Sequence, residues 1–287
     1  MGDGDRSYTL LELLAWYGEM GVDEAVAARP TAWLGRGDRA PGEAAQASPR
    51  HRQAAPSPVV AAAPPGMAAP LAERRFPATV PDAAVMAARA AARQAASLEE
   101  LATRLTGFEG CTLKATAKNL CFYRGQARSA LMLIGEAPGR EEDLEGKPFV
   151  GRAGQLLDKM LAAIGLDERH AHITNIVYWR PPGNRTPTPQ EAEVCRPFLE
   201  RQVALVAPRL IVLLGGAAAK HVLGASEGIM RLRGQLREVA IAGRSVRAIA
   251  TLHPAYLLRT PAAKRLAWRD LLLIRAALGA AGAEGGG

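Results

Sequence analysis

Residues 251–259 read TLHPAYLLR: a histidine, a proline, then three large apolar side chains within four positions, closed by an arginine. Pro254 argues against running a strand or helix through this stretch. AYLLR therefore reads as a loop, and a loop that shows Tyr-Leu-Leu to solvent points to a contact surface. Two further polar residues stand at comparable places: Glu136 in GEAPG, followed by Glu141, Glu142 and Asp143, and Asn175 in ITNIV. A carboxylate, an amide and an imidazole on one rim can accept, donate and position protons and can read the polar edge of a ligand. Each has a plainer explanation alone. GEAPG is also a Gly/Pro turn, Asn175 a turn cap, His253 a satisfied histidine and Phe149 in GKPFVG a core plug. Their conjunction, in order and on successive strand ends, outweighs those explanations.

The elements that must position them follow from periodicity. SALMLIG (129–135), AHITNIV (171–177), RLIVLLGG (209–216) and SVRAIATLHP (245–254) are short apolar runs that read as buried strands. Between them lie helical patterns. RAGQLLDKMLAAIG (152–165) puts Leu156, Leu157, Met160, Leu161 and Ile164 on one face, with Gly165 as the stop. Thr188-Pro189-Gln190-Glu191 is an N-cap, a proline at the first helical position and a capping-box glutamate. AAAKHVLG and a closing helix begun by Thr260-Pro261 complete the alternation. The expected fold is α/β: a three-layer sandwich with a central, mostly parallel four-stranded sheet and helices on both faces. In such sheets ligands bind outside the carboxyl ends of the strands, which is where Glu136, Asn175 and His253 fall.

Upstream, residues 1–34 contain a segment with Leu10, Leu13, Leu14 and Tyr17 at helical spacing, with a protein partner as one expected role. Residues 35–80 are rich in Ala, Pro, Gly and Ser and read as a disordered linker. Residues 81–106 form a helical lead-in, with Ser97 and Glu100 placed as a capping box. The regular α/β pattern spans 107–280, and 281–287 reads as a flexible tail.

The 287 residues carry 36 Lys and Arg against 28 Asp and Glu, a formal charge of +8, which favours a polyanionic partner such as nucleic acid. No secretory signal and no run of membrane-spanning length is visible, so no membrane association is expected. Three cysteines, Cys111, Cys121 and Cys195, fit a reducing cytoplasm. The glycines after the first and third strands match neither G-x-G-x-x-G nor a Walker motif.

GEAPGREEDLEGKPFVGRAGQLLDKML, ITNIVYWRPPGNRTPTPQEAEVCRPFL and HPAYLLR together resemble the family 4 uracil-DNA glycosylases, over about Cys111 to Leu273. The resemblance implies a monofunctional glycosylase of base-excision repair. It would hydrolyse the N-glycosidic bond of a uracil flipped out of single- or double-stranded DNA, as a monomer. On this reading Glu136, Glu142 and His253 are catalytic. Gly135, Ala137, Gly139, Phe149 and Asn175 form the uracil pocket, with Phe149 stacking on the base and Asn175 reading its edge. Arg180, Arg185, Tyr256, Leu257, Leu258 and Arg259 face DNA, and one of the two leucines enters the stack. The division of roles between Glu136 and Glu142 stays open.

One departure stands out. Family 4 enzymes usually hold a [4Fe–4S] cluster on four cysteines, and the matching positions here are read as Cys111, Lys114, Trp179 and Cys195. Two thiols do not make the four-thiolate set, so no cofactor is expected; the alternative is a retained [4Fe–4S] cluster. Two functional alternatives remain. One is a relative that traps the sugar covalently through a histidine, but RPPGNRTPTPQ contains none. The other is a catalytically silent DNA-binding relative linked to replication or repair machinery.

Overall fold

The computed structural model describes residues 81–283. The expected N-terminal segment (1–34) and linker (35–80) lie outside the described residues, as do residues 284–287.

Six strands form the sheet: β1 (Arg124–Gly125), β2 (Leu131–Gly135), β3 (Ala171–Asn175), β4 (Leu210–Leu214), β5 (Leu236–Ile241) and β6 (Arg244–Thr251). Their order is β1-β3-β2-β4-β6-β5. The four inner strands are parallel and are the four expected from the sequence. The expected count of four falls short by two antiparallel edges, β1 against β3 and β5 against β6. Both edges lack the signal that marks the others. β1 is two residues long, and β5 alternates exposed and buried residues instead of forming an apolar run. The β5–β6 hairpin turns through Ala242 and Gly243, both at positive φ (55° and 73°), which suits the right-handed twist of the paired strands. An alanine in that conformation is uncommon, so the turn carried little sequence signal.

The helices are α1 (Pro81–Arg93), α2 (Leu98–Gly107), α3 (Arg140–Glu145), α4 (Arg152–Ala162), α5 (Pro189–Val206), α6 (Gly216–Leu223), α7 (Ile229–Leu232), α8 (Pro254–Arg259) and α9 (Lys264–Ala283). α9 thus runs into the span read as a tail. The inner strands are buried on both faces, and their side chains divide by parity. Met132, Ile134, Ile211, Leu213, Ala248 and Ala250 pack under α1, α2, α5 and α6. Leu131, Leu133, Ile173, Leu210, Val212 and Ile249 pack against α4, α8 and α9. Ala84, Ala88, Ala92 and Ala95 are all buried, so α1 approaches its neighbours through small side chains. The Thr188–Glu191 capping box forms in both directions, at 3.2 and 2.8 Å. At α2, Ser97 accepts from Glu100 N–H, but the Glu100 carboxylate reaches one residue further back, to Ala96 N–H.

AYLLR is not a loop. Pro254 opens the short helix α8, with His253 as its N-cap. The proline ends the strand but is favoured at the first helical position, where no N–H is needed.

Candidate active site

β2 and β3 run in register, with Gly135 opposite Asn175, so both strands deliver their last residues to the same rim. Beyond that rim lies a cleft of about 670 Å³, lined among others by Glu136, Ala137, Gly139, Phe149, Asn175 and His253. Glycines make the convergence physically allowed. A Cβ on Gly135 would lie 2.4 Å from the Phe149 ring and 2.5 Å from Asn175 Oδ1. A Cβ on Gly154, in the first turn of α4, would lie 1.7 Å from the Phe149 carbonyl oxygen. Phe149 itself adopts φ 57°. That left-handed conformation costs a non-glycine residue on the order of 1–3 kcal/mol and marks places where surrounding structure forces the geometry.

Asn175 is 1% exposed, and its Oδ1 has no hydrogen-bond partner among the described residues. A buried acceptor left unpaired costs about 1–3 kcal/mol, so this oxygen suits a ligand that donates to it. His253 stands beside Phe149, with ring centroids 5.7 Å apart and planes inclined by 30°. Its Nδ1 accepts from Ala255 N–H at 3.1 Å. The neutral ring therefore carries its proton on Nε2. Burial, and secondarily the Arg259 charge, hold the His253 pKa down to about 4. At neutral pH His253 is thus an uncharged donor.

The two glutamates differ. Glu142 is buried, and both its oxygens are engaged: Oε2 accepts from Gly139 N–H at 3.0 Å and Oε1 from Gly151 N–H at 2.9 Å. It ties the GEAPG turn to the loop that carries Phe149. The Glu136 carboxylate has no partner among the described residues and lines the cleft.

The α8 side chains split by face. Leu257 is 1% exposed and packs in the core with Leu161 and Ala267. Tyr256 and Leu258, 38% and 37% exposed, line the cleft together with Arg259. Arg185 also lines the cleft but is held by Glu191 in two contacts of 2.8 and 2.6 Å. Arg180 is not among the lining residues; its Nε donates to Asn184 Oδ1 at 2.7 Å. Sequence reasoning missed Arg140 and Arg152, which are exposed on the cleft with no hydrogen bond or ion pair among the described residues. It also missed Gly154. The signal was present, since each arginine follows a glycine of a quoted motif and opens a helix, but it was absorbed into the motif.

The cysteine region lies elsewhere. Cys111 and Cys195 are buried, with sulfurs 4.0 Å apart. Cys195 donates to Cys111, and that bond together with burial holds the Cys195 thiol well above its usual range. The sequence reading sets the matching C-x-x-C position at Lys114, and the structure directs that side chain elsewhere. Lys114 turns its ammonium to Glu109 and the Thr106 carbonyl. Phe108, three positions before Cys111, is buried edge-on against Phe198 (5.1 Å) in the same apolar cluster as Trp179 and both thiols. Phe108 and Trp179 share the buried apolar cluster of the thiol pair, whereas the Lys114 ammonium is directed away from it. A [4Fe–4S] cluster needs four suitable ligands. Two thiols and two aromatic rings do not fit one.

The uracil DNA glycosylase superfamily model matches residues 122–272. The type-4 uracil-DNA glycosylase of Archaeoglobus fulgidus is 41% identical over 58% of this chain and 85% of its own length. That of Pyrobaculum aerophilum is 37% identical over 61% and 92%, and that of Thermotoga maritima 38% over 56% and 83%. With this match across more than half its length, the chain belongs to the uracil-DNA glycosylase superfamily and, within it, to family 4.

Proposed function

We propose that this chain excises uracil from DNA by hydrolysing its N-glycosidic bond, the opening step of base-excision repair. The observation that carries the reading is the unpaired, buried Asn175 Oδ1 beside Phe149 and His253. Uracil presents N3–H as a donor and O4 as an acceptor. Asn175 accepts the first with Oδ1 and donates to the second with Nδ2, a pattern that cytosine inverts. Phe149 offers its ring to the base, and stacking of this kind is worth on the order of 1–3 kcal/mol.

Bond cleavage leaves the electron pair of the C1′–N1 bond on uracil, and its charge spreads to O2. The His253 Nε2–H donates there; one such donor contributes about 10²–10³ in rate. Water adds to C1′, and its proton leaves toward the carboxylate of Glu136 and then solvent or the uracil anion. Glu136 is also the negative charge facing the electron-poor sugar. Glu142, with both oxygens taken by backbone, holds the pocket walls in place and does not act on water. At the rim, Leu258 fills the stack left by the extruded base, while Arg140, Arg152 and Arg259 meet phosphate.

The chain works without an iron–sulfur cluster, since its donor set supplies two thiols of four. Iron analysis and the visible spectrum of anaerobically purified protein test this; stoichiometric iron with a broad absorption band contradicts it. The activity is tested on an oligonucleotide with a single uracil, treated with alkali after incubation. Strand scission at the uracil is expected. Intact strands at enzyme excess, for U·G, U·A and single-stranded substrates alike, overturn the proposal.

A further inference from the structure

Behind His253 lies a buried ion pair that no step above uses. Asp270 of α9 is 0% exposed. Arg233, just after α7, donates to it twice, from Nε at 3.1 Å and from a terminal nitrogen at 2.5 Å, and that same nitrogen also reaches the Leu266 carbonyl. Asp270 Oδ2 also accepts from Thr251 Oγ1 at 2.7 Å. Gly234, at φ 67°, leaves room for the carboxylate: a Cβ there would sit 2.6 Å from Asp270 Oδ1.

The location is informative. Thr251 is the last residue of β6 and lies two positions before His253. Its carbonyl accepts from Gly215 N–H at 2.9 Å. Gly215 in turn is the surface on which His253 rests, since a Cβ there would stand 3.0 Å from His253 Cβ. Gly234 N–H donates to the carbonyl of Ala250 at 3.0 Å, so the arginine segment also grips the strand end through backbone. A buried ion pair is a poor source of stability, because apolar residues of like volume often do as well. What such a pair provides is a fixed arrangement, and here it is tied to the strand end that delivers the imidazole through Thr251 and the Ala250 carbonyl.

We propose that Asp270, held by Arg233 and acting through Thr251, is a positioning residue for His253: it fixes the direction of the Nε2–H donor toward the departing base. The inference rests on the proposed role of His253. If that donor stabilises the leaving group, its misplacement matters most when the leaving group is poor. 5-Fluorouracil is a better leaving group than uracil because fluorine lowers the N1 pKa.

The test compares single-turnover excision of uracil and 5-fluorouracil from the same single-stranded oligonucleotide, using the full chain. Thr251→Val removes the hydroxyl but leaves the ion pair and the side-chain volume, so it is the primary variant. Asp270→Asn is the second. Both should slow uracil excision about tenfold or more while slowing 5-fluorouracil excision clearly less, the pattern also expected of His253→Ala. Thr251→Ser should restore the wild-type ratio of the two rates. Equal loss on both bases in Thr251→Val, or no loss, with the selective pattern retained in His253→Ala, overturns the positioning role alone. Equal loss in His253→Ala overturns the role of His253 itself, and the positioning role with it.

Discussion

His253 is a neutral donor because burial disfavours its charged form, not because a carboxylate holds it. Its pKa of about 4 sets the sign of the pH response. The donor stays intact from neutral pH down to that value, so single-turnover excision should show no inflection near 6.5, the ordinary histidine value. A limb at 6.5 that disappears in His253→Ala contradicts this state. The two glutamates should separate as well. Glu136→Gln should lower the chemical rate with little change in thermal stability. Glu142→Gln turns one oxygen into an amide that opposes the Gly139 or Gly151 N–H, and should lower the melting temperature as well as activity; a stable, inactive Glu142→Gln would return that residue to direct chemistry. The sequence placed both glutamates at the site but could not divide them. The division depends on which carboxylate meets backbone N–H groups, and Gly151 lies nine positions beyond Glu142 in a separate turn.

At the scale of elements, the four inner strands and the order of the helices were legible because burial on both faces leaves continuous apolar runs. The edge strands were not, since one is two residues long and the other is half solvated. The reading of AYLLR failed for a different reason. A proline is a strand breaker and a good first helical residue alike, and only the N-cap bond from Ala255 to His253 distinguishes the two. Helical geometry then separates neighbouring leucines that a loop would have left equivalent. Leu257→Ala should destabilise the fold by about 2–5 kcal/mol, as buried leucine truncations do, measured by denaturant unfolding. Leu258→Ala should leave stability within about 0.5 kcal/mol, as surface substitutions do, and should impair excision from duplex more than from single strands. Equal impairment on both substrates removes Leu258 from the stack.

For the whole domain, histidines held neutral by burial shape the response to acid, His172 and His253 most strongly. His172 is fully buried, and desolvation holds both it and His253 down to about 4. The unfolded chain binds protons at both near pH 6.5, while the folded chain does not until about 4. Stability contributed by the neutral rings is therefore complete above pH 6.5 and lost as pH falls toward 4, with a slope approaching about 1.4 kcal/mol per pH unit for each ring. Urea midpoints between pH 7 and 4.5 measure this, and the slope should shrink in His172→Gln. The missing thiols also act at this scale. If the chain holds no cluster, as proposed, and the buried apolar packing of Phe108, Trp179, Cys111 and Cys195 stabilises this region instead, chelator treatment should leave the melting temperature unchanged. The charge of +8 fits a polyanionic partner, yet the cleft arginines proposed to meet phosphate were invisible until the fold placed Arg140 and Arg152 on one rim.

The most direct measurement of the central claim, that the Asn175 amide reads the uracil edge, is base release by Asn175→Asp from matched uracil and cytosine oligonucleotides. A carboxylate keeps an acceptor but loses the Nδ2 donor to O4, and gains an acceptor facing the cytosine amino group. The account predicts a steep fall in uracil release and a raised ratio of cytosine to uracil release. A proportional change on both bases, or an unchanged uracil rate, contradicts it.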